Sequence, residues 1–109
     1  MTPVYKEQAL EDIREEFPHT WGYVYIVHST SGHLKFGRSR KPDQRFRQLV
    51  KTQGPFEYRL VKSILTNDMY EFEKELHSRF ANEHVRGEWF ADVPEDDLDL
   101  LKSAFMYIL

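Results

Sequence analysis

One carboxylate and one run of cations carry most of the chemical interest of this 109-residue chain. Met69, Phe72, Leu76 and Phe80 recur at helical spacing, and Glu73 lies only about 55° from the centre of that stripe on a helical wheel. His77 follows one turn later on the same side, nearer solvent. A carboxylate beside a buried stripe is unfavourable unless it is paired or binds a cation. A salt bridge with one of the many arginines would meet that need as well as a metal ion would. The cations lie earlier: Lys35, Arg38, Arg40, Lys41, Arg45, Arg47 and Lys51 stand against Asp43 alone in residues 35–51. A field of that sign suits a phosphate backbone. It also suits a solvated helix face that happens to be basic. Tyr23 and Tyr25 sit in a strand-like run, where cross-strand packing would account for them by itself.

These residues need elements to position them. Residues 21–28 (WGYVYIVH) are aromatic and β-branched, the signature of a strand. STSG at 29–32 is a turn, and residues 33–39 (HLKFGRS) give a second strand, so the two form a hairpin. Alternation puts Val24, Ile26, Leu34 and Phe36 on a core face and Tyr23, Tyr25, Lys35 and Gly37 on the other. Pro42 suits the first turn of a helix over 42–51 that buries Phe46, Leu49 and Val50. Gly54-Pro55 breaks the chain before a third strand at 56–65. Asn67-Asp68 cap a helix over 68–82. An N-terminal helix over 5–17, with Leu10, Ile13 and Phe17 inward, ends at Pro18. Pro94 and the following acidic residues start a last helix over 95–107. The expected fold is α+β, a small three-stranded antiparallel sheet flanked by helices with an extra N-terminal helix. One domain over 1–109 is expected, its core about 21–90.

Composition narrows the function classes. With 40% hydrophobic and 30% charged residues the chain is neither disordered nor of low complexity. The absence of cysteine removes disulfides, thiolate metal sites and a cysteine nucleophile. No apolar run approaches the roughly 18 residues of a membrane span, and the acidic N-terminus lacks the apolar core of a signal peptide. A soluble protein of the cytoplasm, or of the nucleus in a eukaryote, is expected. The net charge of −3 is segregated: residues 33–86 carry twelve basic side chains against seven acidic, and residues 87–109 one against six.

Several of these signals coincide at fixed spacings. Tyr23-Val24-Tyr25 is followed across the hairpin by Lys35-Phe36-Gly37, then by Arg45 on the next helix and Glu73 on the one after. This set resembles the GIY-YIG nuclease superfamily. More closely, Lys35, Leu76-His77 and Gly87-Glu88-Trp89-Phe90 resemble the branch named from a T5-type phage open reading frame, also found as a meiotically up-regulated gene family. The resemblance spans about Trp21 to Phe90. Two positions depart from the superfamily: Lys35 replaces its second tyrosine, and its late asparagine has only Asn82 and Glu88 as candidates.

The resemblance implies that Tyr25 assists deprotonation of a water, Arg45 clamps a phosphate and Glu73 ligates one Mg²⁺ or Mn²⁺ ion. Tyrosine's ordinary pKa near 10 makes it a poor base at neutral pH. A cation on its face favours phenolate, and Lys35 is the expected source of that charge. Gly37 would leave room for a substrate backbone to approach. His77 is expected either to orient a water or contact phosphate, or to hydrogen-bond a carboxylate. Glu88 is expected to pair with an arginine near the site. Tyr25, Lys35, Arg45 and Glu73 are expected to converge on one concave face with His77 at its margin, and Arg38, Arg40, Arg47 and Lys51 to contact nucleic acid. The expected activity is that of a metal-dependent endonuclease or nickase. DNA is the expected partner, RNA is chemically open, and a homodimer or protein partner would add specificity. The competing readings are a non-catalytic nucleic-acid-binding module and a protein-interaction factor that uses the acidic C-terminal segment.

Overall fold

The computed structural model describes residues 10–52 and 54–91. The expected helix over 95–107 lies outside the described residues. Residues 10–16 are helical (α1) and bury Ile13. They are followed by β1 (Gly22–Ser29), β2 (His33–Ser39), α2 (Pro42–Thr52), β3 (Tyr58–Thr66) and α3 (Met69–Arg79). A 3₁₀ turn (Ala81–Glu83) then leads into β4 (His84–Arg86) and β5 (Trp89–Ala91). No helix among the described residues is long and apolar enough to cross a membrane.

The sheet has five antiparallel strands in the order β3-β1-β2-β5-β4, where the sequence reading expected three. Each added strand is three residues long, and all of β4 is exposed, so neither shows the alternating pattern that reveals a strand. Gly32, at φ +84°, makes the turn between β1 and β2. β1 lies between β3 and β2 and is buried on both faces.

Two cores result. On one face Val24, Ile26, Leu34 and Phe36 pack with Met69, Phe72, Leu76 and Phe80 of α3 and with Phe90. Phe36 stacks on Phe80 at 5.0–5.4 Å from its ring neighbours Phe90 and Phe80. On the other face Tyr25 and Val27 pack with Leu49, flanked by Phe46, Tyr58, Leu60 and Trp89. The α2 stripe is narrower than expected, because Val50 is exposed. Aromatic residues extend this second core along the sheet beyond α2.

Asp68 caps α3: one side-chain oxygen accepts from the backbone N–H groups of Tyr70 and Glu71, each at 3.1 Å. Because α3 carries Glu73, this cap helps set the position of the site. Asp68→Ala should lower the unfolding free energy by about 1 kcal/mol, read as a lower urea midpoint at unchanged slope. An unchanged midpoint would mean that packing alone holds the helix start.

Candidate active site

The β1–β2 register places Tyr25 directly opposite Gly37. The tyrosine lies across that glycine so closely that a Cβ on Gly37 would run into Cζ and the hydroxyl. The glycine therefore makes room for the tyrosine itself, where the sequence suggested an approaching substrate backbone. Tyr25 is only 3% exposed, yet it lines a cleft of about 430 Å³ together with Lys35, Arg45, Gln48, Leu49 and Thr52. Three of the expected site residues thus share one cleft.

Burial pushes the Tyr25 phenol above its ordinary pKa, and the Glu88 carboxylate pushes it further. A hydrogen bond from Arg45 and its charge oppose the rise, and the field of Glu73 adds to it. The cation acting on Tyr25 is therefore Arg45, whereas Lys35 was the expected one. Lys35 faces Glu88 instead: Nζ lies 3.8 Å from Oε2 and 5.9 Å from the Trp89 ring. Glu88 was expected to pair with an arginine near the site, and its partner is this lysine. The reach of Glu88 to both Tyr25 and Glu73 comes from the turn between β4 and β5, two strands too short to be read from periodicity.

Glu73 arrives from the opposite face of the sheet, on α3. It is 7% exposed, and its Oε1 accepts a 2.7 Å hydrogen bond from Nη1 of Arg38. Its Oε2 is buried with no hydrogen-bond partner among the described residues. Burial holds the carboxyl above its ordinary pKa and Glu88 adds to the effect, while Arg38 and His77 act against it. The Arg38 side chain is 43% exposed and lies over the Tyr70 ring at 4.8 Å. The ion pair thus has a dry anion and a hydrated cation. The ring of Tyr25 and the apolar stripe of α3 thus pack on opposite faces of the sheet, while the fields of Glu73 and Glu88 both reach the Tyr25 hydroxyl and that of Glu88 also reaches Glu73.

His77 Nε2 donates to the backbone oxygen of Phe36 at 3.2 Å, and its ring meets Phe90 edge-on at 5.0 Å. Its partner is a main-chain carbonyl, where a carboxylate was one expectation. Since Phe36 N–H donates to Glu88 O at 3.2 Å, His77 closes the end of the β2–β5 ladder. Of the four expected nucleic-acid contacts, Arg38 is held by Glu73. Arg40 is bound to the backbone oxygens of Trp21 (3.0 Å) and Pro18 (2.9 Å) and stacks over the Trp21 ring at 4.8 Å. Arg47 and Lys51 are exposed on α2, and Arg47 lines a second cleft with Tyr23, Lys41 and Asp43. Asn82 is exposed in the 3₁₀ turn.

The described residues form an α+β sheet that carries a tyrosine in β1, an arginine on α2 and a buried glutamate on α3. The family model of the T5orf172 domain matches residues 22–105, and the chain belongs to that family. This is the GIY-YIG-like branch that Lys35, Leu76-His77 and Gly87-Glu88-Trp89-Phe90 indicated. Neither the curated proteins nor the solved structures yield a match to the chain.

The raised pKa of Glu73 has a consequence for stability. Folding disfavours its ionised form relative to the unfolded chain, where the carboxyl keeps its ordinary value of about 4.5. Stability held by the protonated form is complete below that value and is lost as pH rises through the raised folded value. Glutamine cannot ionise, and Arg38 is exposed enough to be hydrated when its anionic partner is gone. The melting temperature of Glu73→Gln, relative to wild type, should therefore be higher at pH 7 than at pH 4. A relative melting temperature that falls between pH 4 and pH 7 would show that the Arg38 ion pair outweighs the desolvation of Glu73.

Proposed function

We propose that the protein is a metal-dependent endonuclease that cleaves phosphodiester bonds in DNA. The observation that carries this reading is the buried, unpartnered Oε2 of Glu73. A dry carboxylate oxygen without a hydrogen-bond donor is costly, and it is a fitting ligand for a hard divalent cation. No group of three or more His, Asp or Glu side chains among the described residues could hold a metal. Glu73 would hold Mg²⁺ or Mn²⁺ through Oε2, with waters and a substrate phosphate completing the shell. When bound, the cation would offset the charge that develops on the phosphate.

The remaining chemistry falls to the chain. Arg45 pairs with the non-bridging phosphate oxygens in the Tyr25 cleft. A water oxygen forms a bond to phosphorus and passes its proton to the Tyr25 phenolate. The bond from phosphorus to one sugar oxygen breaks with its electron pair, and that oxygen takes a proton from solvent. Lys35 adds positive charge at the cleft wall. Family membership supports a nuclease-like module that meets nucleic acid. A second reading, a binding module without turnover, is favoured by one observation: Arg38 already partners the other oxygen of Glu73.

Nicking of supercoiled plasmid in Mg²⁺ or Mn²⁺ tests the choice. Wild type should cut. Glu73→Ala and Tyr25→Phe should each slow cutting by at least about a hundredfold, the lower range for removing an acid–base group. Glu73→Ala should bind DNA as well as wild type or better, since an anion has left a cationic surface. Binding without cutting in every variant and in wild type would select the second reading.

The raised pKa of Tyr25 adds a pH test. The phenolate fraction rises about tenfold per pH unit below the pKa, so the cleavage rate should climb with unit slope. With DNA well below saturation, where the rate reports the free protein, it should show no plateau below the ordinary tyrosine value of about 10. A rate that levels off near pH 7 would remove Tyr25 as the base.

A further inference from the structure

The face of the sheet that carries the Tyr25 cleft continues past the end of α2 into a second pocket. Its volume is about 340 Å³, and its walls include Phe56, Tyr58, Trp89, Arg86, His33 and Ser31. The alternation of the strands explains its location. His33 and Lys35 are two residues apart on β2 and share a face, about 7 Å from one another along the strand. Trp89 stands opposite Lys35 in the β2–β5 pairing. Trp89 lines this pocket, while Lys35 lines the cleft. The two hollows therefore meet at this residue pair.

The walls are aromatic, cationic and hydrogen-bonding at once. Tyr58 and Trp89 lie with ring centroids 6.1 Å apart and planes tilted by 50°. Phe56, a large apolar ring with 51% of its surface in solvent, stands at the rim. A ring that exposed adds little to the core. His33 Nδ1 is hydrogen-bonded to Ser31 Oγ at 2.9 Å, which fixes the ring and leaves Nε2 to face outward chemistry. Nε2 donates if the serine hydroxyl donates to Nδ1, and accepts if Nδ1 carries the proton. Arg86 adds a positive charge to the lining. Exposed rings beside cations on a nucleic-acid-facing surface form a platform for stacking bases. A paired duplex cannot offer a base to such a pocket.

We propose that this pocket binds one unpaired nucleobase of a single-stranded nucleic acid, next to a phosphate held in the Tyr25 cleft. The occupant is chosen by charge complementarity and by continuity with that cleft. Placing the strand across the cleft rests on the nuclease reading, but the pocket's preference for an unpaired base does not. The base stacks on Phe56 and Trp89, and His33 reads its polar edge. The substrate class is then a single strand or an unpaired segment within a duplex.

The test uses the full chain in EDTA, so that cleavage plays no part. Labelled oligothymidylate and a blunt duplex of equal length are titrated by fluorescence anisotropy at fixed salt. Wild type should bind the single strand more tightly than the duplex. Phe56→Ala should weaken single-strand binding by about tenfold, as expected for the loss of one base-stacking ring, and leave duplex affinity within about twofold. Phe56→Trp should restore the preference. Circular dichroism should be the same for all three proteins, since Phe56 lies outside both cores. Equal losses for the two ligands, or none for the single strand, would overturn the proposal. A change in sedimentation in Phe56→Ala with no change in binding would reassign the pocket to contact between copies of the chain. A protein that shows the preference but never nicks plasmid would keep this pocket and refute the nuclease.

Discussion

Tyr25 stands opposite Gly37 in the central strand pair, and the rest of the site depends on that register. A slip of one residue would turn every side chain of β2 to the other face. Phe36 would leave the core it shares with Phe80 and Phe90, and Lys35 would leave the cleft it shares with Tyr25. It would also put a Cβ against the tyrosine ring, which only glycine accommodates. Packing on one face and chemistry on the other thus enforce the same alignment. Because β1 is buried on both sides, Val24 and Ile26 serve one core while Tyr25 and Val27 serve the other. The tyrosine is therefore a core residue whose hydroxyl reaches a cleft. This explains its raised pKa: the ring is held by apolar neighbours that cannot solvate a phenolate.

The same logic holds on the other face. Met69, Phe72, Leu76 and Phe80 seat α3 on the sheet, and Glu73, one position from Phe72, is carried into the border of that contact. Its charge is stabilised by a guanidinium that keeps much of its hydration, because Arg38 sits at the sheet's margin. A fully buried pair would require both ions to shed water. Here only the anion does so, and one of its oxygens gains no hydrogen bond in return. The carboxylate is held in place by the packing of its helix, and Arg38 orients it.

Much of this was legible in the sequence. Hydrophobic alternation identified the hairpin and its inward residues, and helical periodicity identified α2, α3 and the flank position of Glu73. The Asn67-Asp68 pair marked the start of α3, and Asp68 proves to be the cap. What stayed hidden has common physical causes. β4 and β5 are too short to show a period, so the sheet looked three-stranded. Helical periodicity gave the angle of Glu73 around α3 but not which face of the sheet the helix would cover. Nor does a basic run say which members are engaged. Arg40 is committed to the main chain at Pro18 and Trp21, a contact made across about twenty residues of sequence that no local pattern encodes.

The partners of the cations divide them into those that hold the fold and those that can receive a phosphate. Arg38 donates at 2.7 Å to a buried oxygen, so removing it would leave a desolvated charge without its counterion. Arg40 satisfies two backbone carbonyls. Lys35 differs from both. Its ammonium is 3.8 Å from Glu88, beyond hydrogen-bond length, and that carboxylate is 43% exposed. A pair of this kind contributes at most about 1 kcal/mol and is weakened by salt. A phosphodiester entering the Tyr25 cleft can therefore draw Lys35 from Glu88 at little cost, and it meets Arg45 on the exposed face of α2. Moving that ammonium toward the cleft brings a second cation near the phenol, the charge that Tyr25 lacks in the free protein. Under the proposed reaction, the loose pairing of Lys35 would let the substrate itself complete the electrostatics of the site.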